Sequence, residues 1–158
     1  MIIRKQFKFE GAHIVRNAVS KRCAYSIHGH SYIVEVFLHG NVDQSNGMLL
    51  DFIEMKNCGI ANLIDNFDHA LVLWSGDSTE YIKDMMNWSQ RIVIMNVNPT
   101  AENMAIVFHH HIQKIIDDNF IGVNVKCVRV HETATGYAES ELSDIENFKD
   151  SFEIKVLD

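Results

Sequence analysis

The sequence predicts an α+β domain, an antiparallel sheet with helices on one face, and three observations predict it. Ile2 to Ile14, His28 to His39 and Val123 to Val130 alternate apolar and polar residues with the period of a strand. Phe52 to Ile64 and Asn98 to Asp118 repeat apolar residues with the period of a helix. The order of these patterns, β-β-α-α-β-β, is that of a four-stranded antiparallel sheet carrying its helices on a single side.

Along the first strand, Ile3, Phe7 and Phe9 share one face and Arg4, Gln6, Lys8 and Glu10 the other, with His13 closing the apolar face. A polar loop, Asn17 to Ser26, joins it to the second strand, where Tyr32, Val34, Val36 and Leu38 form one face and His28 and His30 keep the same parity. The helix from Phe52 to Ile64 presents Met55, Ile60, Leu63 and Ile64 despite Gly59, and Asp51 caps it. A short helix near Thr79 to Trp88 and a short strand near Arg91 to Met95 follow. Pro99, the only proline, with Thr100-Ala101-Glu102-Asn103, starts the next helix. The third long strand ends at His131-Glu132-Thr133, and a fourth lies near Tyr137 or at Phe152 to Leu157.

The 158 residues, 47% of them hydrophobic, suit a single domain spanning 1–158 with a full core. No apolar run is long enough to span a membrane, and Met1 to Glu10 is not the apolar block of a signal peptide. Cys23, Cys58 and Cys127 are odd in number and irregularly spaced, as expected of reduced thiols in the cytoplasm. A net charge of −7 argues against binding to nucleic acid or an anionic membrane surface. A four-stranded sheet also leaves open edges and an uncovered face, which favours assembly with further copies.

Nine histidines stand out. His28 and His30 are two apart on one strand, so both imidazoles project from the same side, and Gly29 between them keeps the other side clear. His13 ends the neighbouring strand and can join them. Three neutral nitrogens without a thiolate suit Zn2+ and leave a coordination position open, as a catalytic site requires. His109, His110 and His111 are consecutive on a helix, roughly 100° apart, and cannot converge on one ion; they read as a solvated or partly packed face. His39, of opposite parity, reads as surface.

Taken together, Phe9-x-x-Ala12-His13, Cys23 before His28-Gly29-His30-Ser31-Tyr32, Gly47-Met48 with Asp51-Phe52, Asp68-His69, Pro99 to Asn103 and His131-Glu132-Thr133 resemble the 6-pyruvoyl-tetrahydropterin synthase and 6-carboxytetrahydropterin synthase family. The resemblance runs in order from about residue 7 to 137. It implies the tunnelling fold (T-fold), in which sheets of three subunits close into a barrel and two trimers stack into a homohexamer. It also implies a pterin triphosphate substrate, 7,8-dihydroneopterin triphosphate, bound where subunits meet.

On this resemblance His13, His28 and His30 are the zinc ligands, Cys23 is the general base, and Asp68 with His69 forms a proton-relay pair. Lys21 and Arg22 beside the thiol are candidate contacts for the triphosphate. Glu132 is expected to accept hydrogen bonds from the exocyclic amine and ring N–H of the pterin. His131, of opposite parity, should point away. Thr100 and Glu102 either line the pterin pocket or only satisfy the amides of the helix start. The family's forms differ in the spacing from cysteine to histidine: queuosine-pathway members have fewer intervening residues, biopterin-pathway members more. Here Ala24, Tyr25, Ser26 and Ile27 put the chain between them. Ser26 stands where the folate-associated form carries glutamate. The expectation is therefore a lyase, a 6-carboxytetrahydropterin synthase of queuosine biosynthesis, releasing acetaldehyde and triphosphate. The alternatives are a 6-pyruvoyl-tetrahydropterin synthase and a non-catalytic pterin-binding module. Trp74 to Asn98 and the tail after Tyr137 are longer than the resemblance leads one to expect.

Overall fold

The structure, a computed structural model, describes residues 1–147 and 152–157. Its strands are β1 (Ile2–His13), β2 (His28–Gly40), β3 (Ala70–Trp74), β4 (Ile92–Met95), β5 (Val123–His131), β6 (Tyr137–Ser140) and β7 (Ile154–Leu157). Its helices are α1 (Lys21–Tyr25), α2 (Phe52–Asn57), α3 (Ile60–Asp65), α4 (Thr79–Trp88), α5 (Ala101–Asn119) and α6 (Leu142–Glu146).

The α+β class holds, but the sheet is larger than expected and mixed. Seven strands among the described residues run in the order β6-β5-β2-β1-β3-β4-β7. The long strands β1, β2 and β5 are antiparallel neighbours, whereas β3 runs parallel to the end of β1 and β4 parallel to β3. The strand not expected comes from Ala70-Leu71-Val72-Leu73-Trp74, a continuous apolar run buried on both faces; its partner β4 is the short strand expected near Arg91 to Met95. A strand buried on both faces lacks the alternation that marks a half-buried one. Both candidate positions for a further strand are occupied, by β6 and by β7.

The helix expected over Phe52 to Ile64 is two, α2 and α3, broken at Gly59, whose φ of 125° lies in the left-handed region that side chains avoid. Asp51 caps α2 by accepting the Ile53 N–H at 2.8 Å. The core lies between α3, α5 and one face of the sheet. Phe9 stacks on Tyr32 with centroids 4.5 Å apart, and Phe67 from the turn after α3 and Phe108 from α5 close on them. Burial of these rings fixes the β1–β2 pair whose ends carry the three histidines.

Of the three histidines expected on a solvated or partly packed face, His110 and His111 are half-buried and His109 is packed completely, with Nδ1 2.9 Å from the Ser140 carbonyl. It belongs to the apolar stripe of α5 with Ala105, Phe108 and Ile112. On the opposite side of the sheet, Glu35 is buried among Arg4, Gln6 and His131. Burial alone would raise its carboxyl, but the hydrogen bonds from His131, Arg4 and Gln6 outweigh it and hold it at about 2.

Candidate active site

Residue pairing across β1 and β2 places His13 opposite His28. Gly29 lies so close to the neighbouring strand that a Cβ there would stand 3.3 Å from the Gly11 carbonyl oxygen. Among the described residues, His13, His28 and His30 form the group of three whose ligand atoms lie within 4.8 Å of one another. These imidazoles can hold a metal ion.

The hydrogen bonds around them test the fit. His13 Nδ1 lies 2.7 Å from the Pro99 carbonyl, and His28 Nδ1 lies 2.9 Å from the Ser26 carbonyl. A carbonyl only accepts, so each Nδ1 carries a proton, and Nε2 is the nitrogen left to offer a lone pair to a metal. Those two Nε2 atoms face each other at 3.1 Å. The Nε2 of His30 is buried without a hydrogen-bond partner among the described residues. Burial, with a smaller contribution from His28 and His30, lowers the His13 pKa to about 4, so the ring is neutral at pH 7.

Glu132, at the end of β5, brings Oε1 to 3.5 Å from His13 Nε2 and 4.0 Å from His30 Nε2. With His13 neutral this is no ion pair: lone pairs of nitrogen and carboxylate oxygen converge without a proton between them. A bound cation reconciles that arrangement. Tyr32, 1% exposed, points its hydroxyl at His13, 3.3 Å from Nδ1, and burial pushes the phenol above its usual range. Tyr32 shares strand parity with His28 and His30, as expected from the sequence, and its hydroxyl is what brings it to the site.

Cys23 lies in the short helix α1, half-buried, and is not among the three converging ligands. Lys21 and Arg22 beside it are exposed. All three cysteines are free thiols. Burial, chiefly, raises Cys127 to about 11, which leaves it inert.

Asp68 and His69 form a hydrogen-bonded pair, Oδ2 to Nδ1 at 2.9 Å. The turn that carries them is stitched to the end of β1. The Glu10 N–H donates to Asp68 Oδ1 at 2.8 Å, and the His69 N–H donates to the Glu10 carbonyl at 2.6 Å. That donation by Glu10, first among its causes, holds the Asp68 carboxyl below its ordinary value. Arg91 adds bonds to the carbonyls of Asp68 at 2.7 Å and Asp65 at 2.6 Å. His69 itself adopts a φ of 58° and is 76% exposed at its side chain. The adjoining cleft, about 520 Å³, is bounded by Glu10, Gly29, His30, Ser31, His69 and Ser89. Gly29 and Ser31 alternate with His28 and His30 and project from the opposite face of β2. Among the described residues no hydrogen bond joins the Asp68–His69 pair to the imidazoles or to Cys23.

Thr100 is the N-cap of α5, its hydroxyl accepting the Asn103 N–H at 3.2 Å. Glu102, exposed on the first turn, shares a cleft of about 210 Å³ with Glu132, Thr133 and Tyr137. His131 turns away, to Glu35 at 2.9 Å.

The family described as 6-pyruvoyl tetrahydropterin synthase matches residues 2–142. A relative from Helicobacter pylori, named 6-carboxy-5,6,7,8-tetrahydropterin synthase, is 41% identical over 152 residues, covering 93% of this chain and 76% of its own. Among solved structures, an uncharacterized protein from Wolinella succinogenes superposes with a TM-score of 0.70 at 19% identity, over 90% of this chain and 98% of its own. The 6-pyruvoyl tetrahydropterin synthase of Caenorhabditis elegans gives 0.64 at 21%, over 89% and 94%. At those identities the structures speak for the fold alone.

Proposed function

The chain belongs to the 6-pyruvoyl tetrahydropterin synthase family, a lyase among named tetrahydropterin synthases, and we propose that it is a 6-carboxy-5,6,7,8-tetrahydropterin synthase. Its substrate is 7,8-dihydroneopterin triphosphate and its products are 6-carboxytetrahydropterin, acetaldehyde and triphosphate, on the route to the deazapurine of queuosine. The observation that carries this reading is the convergence of three imidazole nitrogens and the Glu132 carboxylate on one point. The name of the Helicobacter relative supports the choice of product.

We assign zinc to His13, His28 and His30, three neutral nitrogen donors without a thiolate. When bound, the ion would supply Lewis acidity to a hydroxyl of the substrate's side chain and favour loss of a proton nearby. Glu132 is the substrate-binding carboxylate. Its carboxylate is the acceptor for the exocyclic amine and ring N–H of the pterin. Thr100, whose oxygen already caps α5, can still donate its hydroxyl proton to the ring, and Glu102 lines the same cleft as Glu132.

Cys23 is the base, and Asp68 orients His69 to relay protons. The cleft of the Asp68–His69 pair lies partly on the opposite face of β2 from the histidines. A complete site therefore draws this pair from a second copy, as the homohexamer of two stacked trimers would allow. A thiolate base needs a reducing compartment, and we place the enzyme in the cytoplasm. Among the described residues no helix is long and apolar enough to cross a membrane.

Incubating the zinc-loaded protein with 7,8-dihydroneopterin triphosphate should release acetaldehyde together with triphosphate. Triphosphate without acetaldehyde would assign the pyruvoyl-forming reaction instead, and tight pterin binding without either product would reduce the protein to a binding module. Replacing Cys23 with Ala should abolish turnover and leave zinc bound.

A further inference from the structure

We propose that Arg16, Asp77 and Tyr81 form a clamp that positions the Cys23 loop, and that the segment between β3 and β4 supplies it. The inference rests on the reading of Cys23 as the base.

Residues 14–27 link two metal-ligand strands and carry the thiol, yet Asn17, Val19, Ser20, Lys21, Arg22 and Tyr25 are all exposed. A loop so solvated wanders unless something ties it. Its ties begin at Arg16. The Arg16 N–H donates to Asn98 Oδ1 at 3.1 Å, and Asn98 Nδ2 donates back to the Arg16 carbonyl at 2.7 Å. Asn98 precedes Pro99, whose carbonyl orients His13, so the backbone of Arg16 is indexed to the metal site.

The side chain reaches the other way. Arg16 Nε donates to Asp77 Oδ1 at 2.7 Å, and Nη1 donates to the Ala24 carbonyl at 3.4 Å. The guanidinium also lies 4.7 Å from the centre of the Tyr81 ring. The Val15 N–H meanwhile donates to the Cys23 carbonyl at 3.0 Å. The carbonyls of Cys23 and of the next residue are thus both held from Val15 and Arg16.

Asp77 and Tyr81 come from the segment whose length the sequence left unexplained. Asp77 ends a turn by donating its N–H to the Trp74 carbonyl at 3.0 Å, and the Ser78 hydroxyl caps α4 by accepting the Tyr81 N–H at 3.1 Å. The side chains of Arg16 and Asp77 are 24% and 9% exposed, so solvent and salt screen the pair weakly. Among the described residues Asp77 Oδ2 is buried without a hydrogen-bond partner, a cost that a pair kept only for stability would avoid. A guanidinium can serve an ion pair, a carbonyl and a ring face together, as an ammonium cannot.

The test compares zinc-loaded wild type with Asp77→Asn, which keeps shape and removes charge, and Arg16→Lys, which keeps charge and removes the fork. Peptide-resolved alkylation by iodoacetamide reads the exposure and reactivity of Cys23, with Cys58 as internal reference. Both variants should lose about tenfold or more in kcat with KM nearly unchanged, as expected of a misplaced group. The Cys23 alkylation rate should shift by about threefold or more while Cys58 and the zinc content stay as in wild type. If either variant melts without cooperativity or loses zinc, Tyr81→Leu, which removes only the ring, carries the same comparison with the same expected direction. A lowered Tm with Cys23 alkylation and kcat unchanged would overturn the clamp and leave an ion pair of purely structural use. Retained turnover in Cys23→Ser would instead overturn the base assignment, and the alkylation comparison on the native thiol would still report whether the loop is held.

Discussion

His13 and His28 face each other through their Nε2 atoms at 3.1 Å, each with its Nδ1 proton given to a backbone carbonyl. Two ligands on one tetrahedral zinc, with bonds of about 2.0–2.1 Å, stand about 3.4 Å apart, so the rings need little movement to share an ion. Dialysis against a chelator should lower Tm and abolish turnover, and zinc should restore both. His28→Ala, at a half-buried position, should fold by circular dichroism yet lose its metal by elemental analysis. Full zinc content in that variant would remove His28 from the ligand set.

Acid should destabilise the metal-free protein across a defined window. Burial lowers His13 and His111 to about 4 and lowers His109 and His110 as well. The unfolded imidazoles take up protons near 6.5 that the buried rings refuse. Their contribution is therefore fully present above pH 6.5 and lost as pH falls towards 4. Glu35, held at about 2, adds a loss in the same direction below the usual carboxylate range. Urea midpoints between pH 7 and 4 should fall monotonically, and a flat profile would contradict this.

Thr100 separates two roles that its position leaves superposed. Thr100→Val removes the oxygen that caps α5 and should cost about 1 kcal/mol of stability, whereas Thr100→Ser keeps it. If the hydroxyl also touches the pterin, KM should rise in the valine variant and stay near wild type in the serine one. Valine that lowers only the urea midpoint would restrict Thr100 to the cap.

Arg91 binds the turn that presents the Asp68–His69 pair through the carbonyls of Asp65 and Asp68. Arg91→Ala strips the Asp68 carbonyl of its side-chain donor, while the Asp65 carbonyl keeps the Asp68 N–H at 3.0 Å, and should cost about 1–3 kcal/mol. If the pair relays protons, kcat should fall with it. Steady-state rates measured well below the new melting temperature separate the two effects, and an unchanged kcat would mean the turn keeps its geometry without Arg91.

The half-buried strands were legible because alternation reports a face. His28, His30 and Tyr32 were placed together by parity alone, and the start of α5 by Pro99 and the residues after it. Strand β3 was not, because a run of five apolar residues buried on both sides reads alike as strand or helix. The full burial of His109 is not legible, although it lies on the apolar stripe of its helix; its Nδ1 partner, Ser140, is 31 residues away and invisible to local pattern. The same distance rule hid the Arg16–Asp77 pair, separated by 61 residues, and Arg91 beneath the turn. Residue types for the site could be read from the chain. The neighbours that fix their geometry belong to the folded contact map.

His69 keeps a Cβ in a backbone conformation with φ of 58°. Non-glycine residues held in such regions cost on the order of 1–3 kcal/mol, and glycine at this position would relieve much of that cost. In a randomised library, enrichment for heat resistance alone should therefore drive position 69 towards glycine, whereas enrichment for product formation should retain the imidazole. The codon that survives at that one position would report which demand the population had faced.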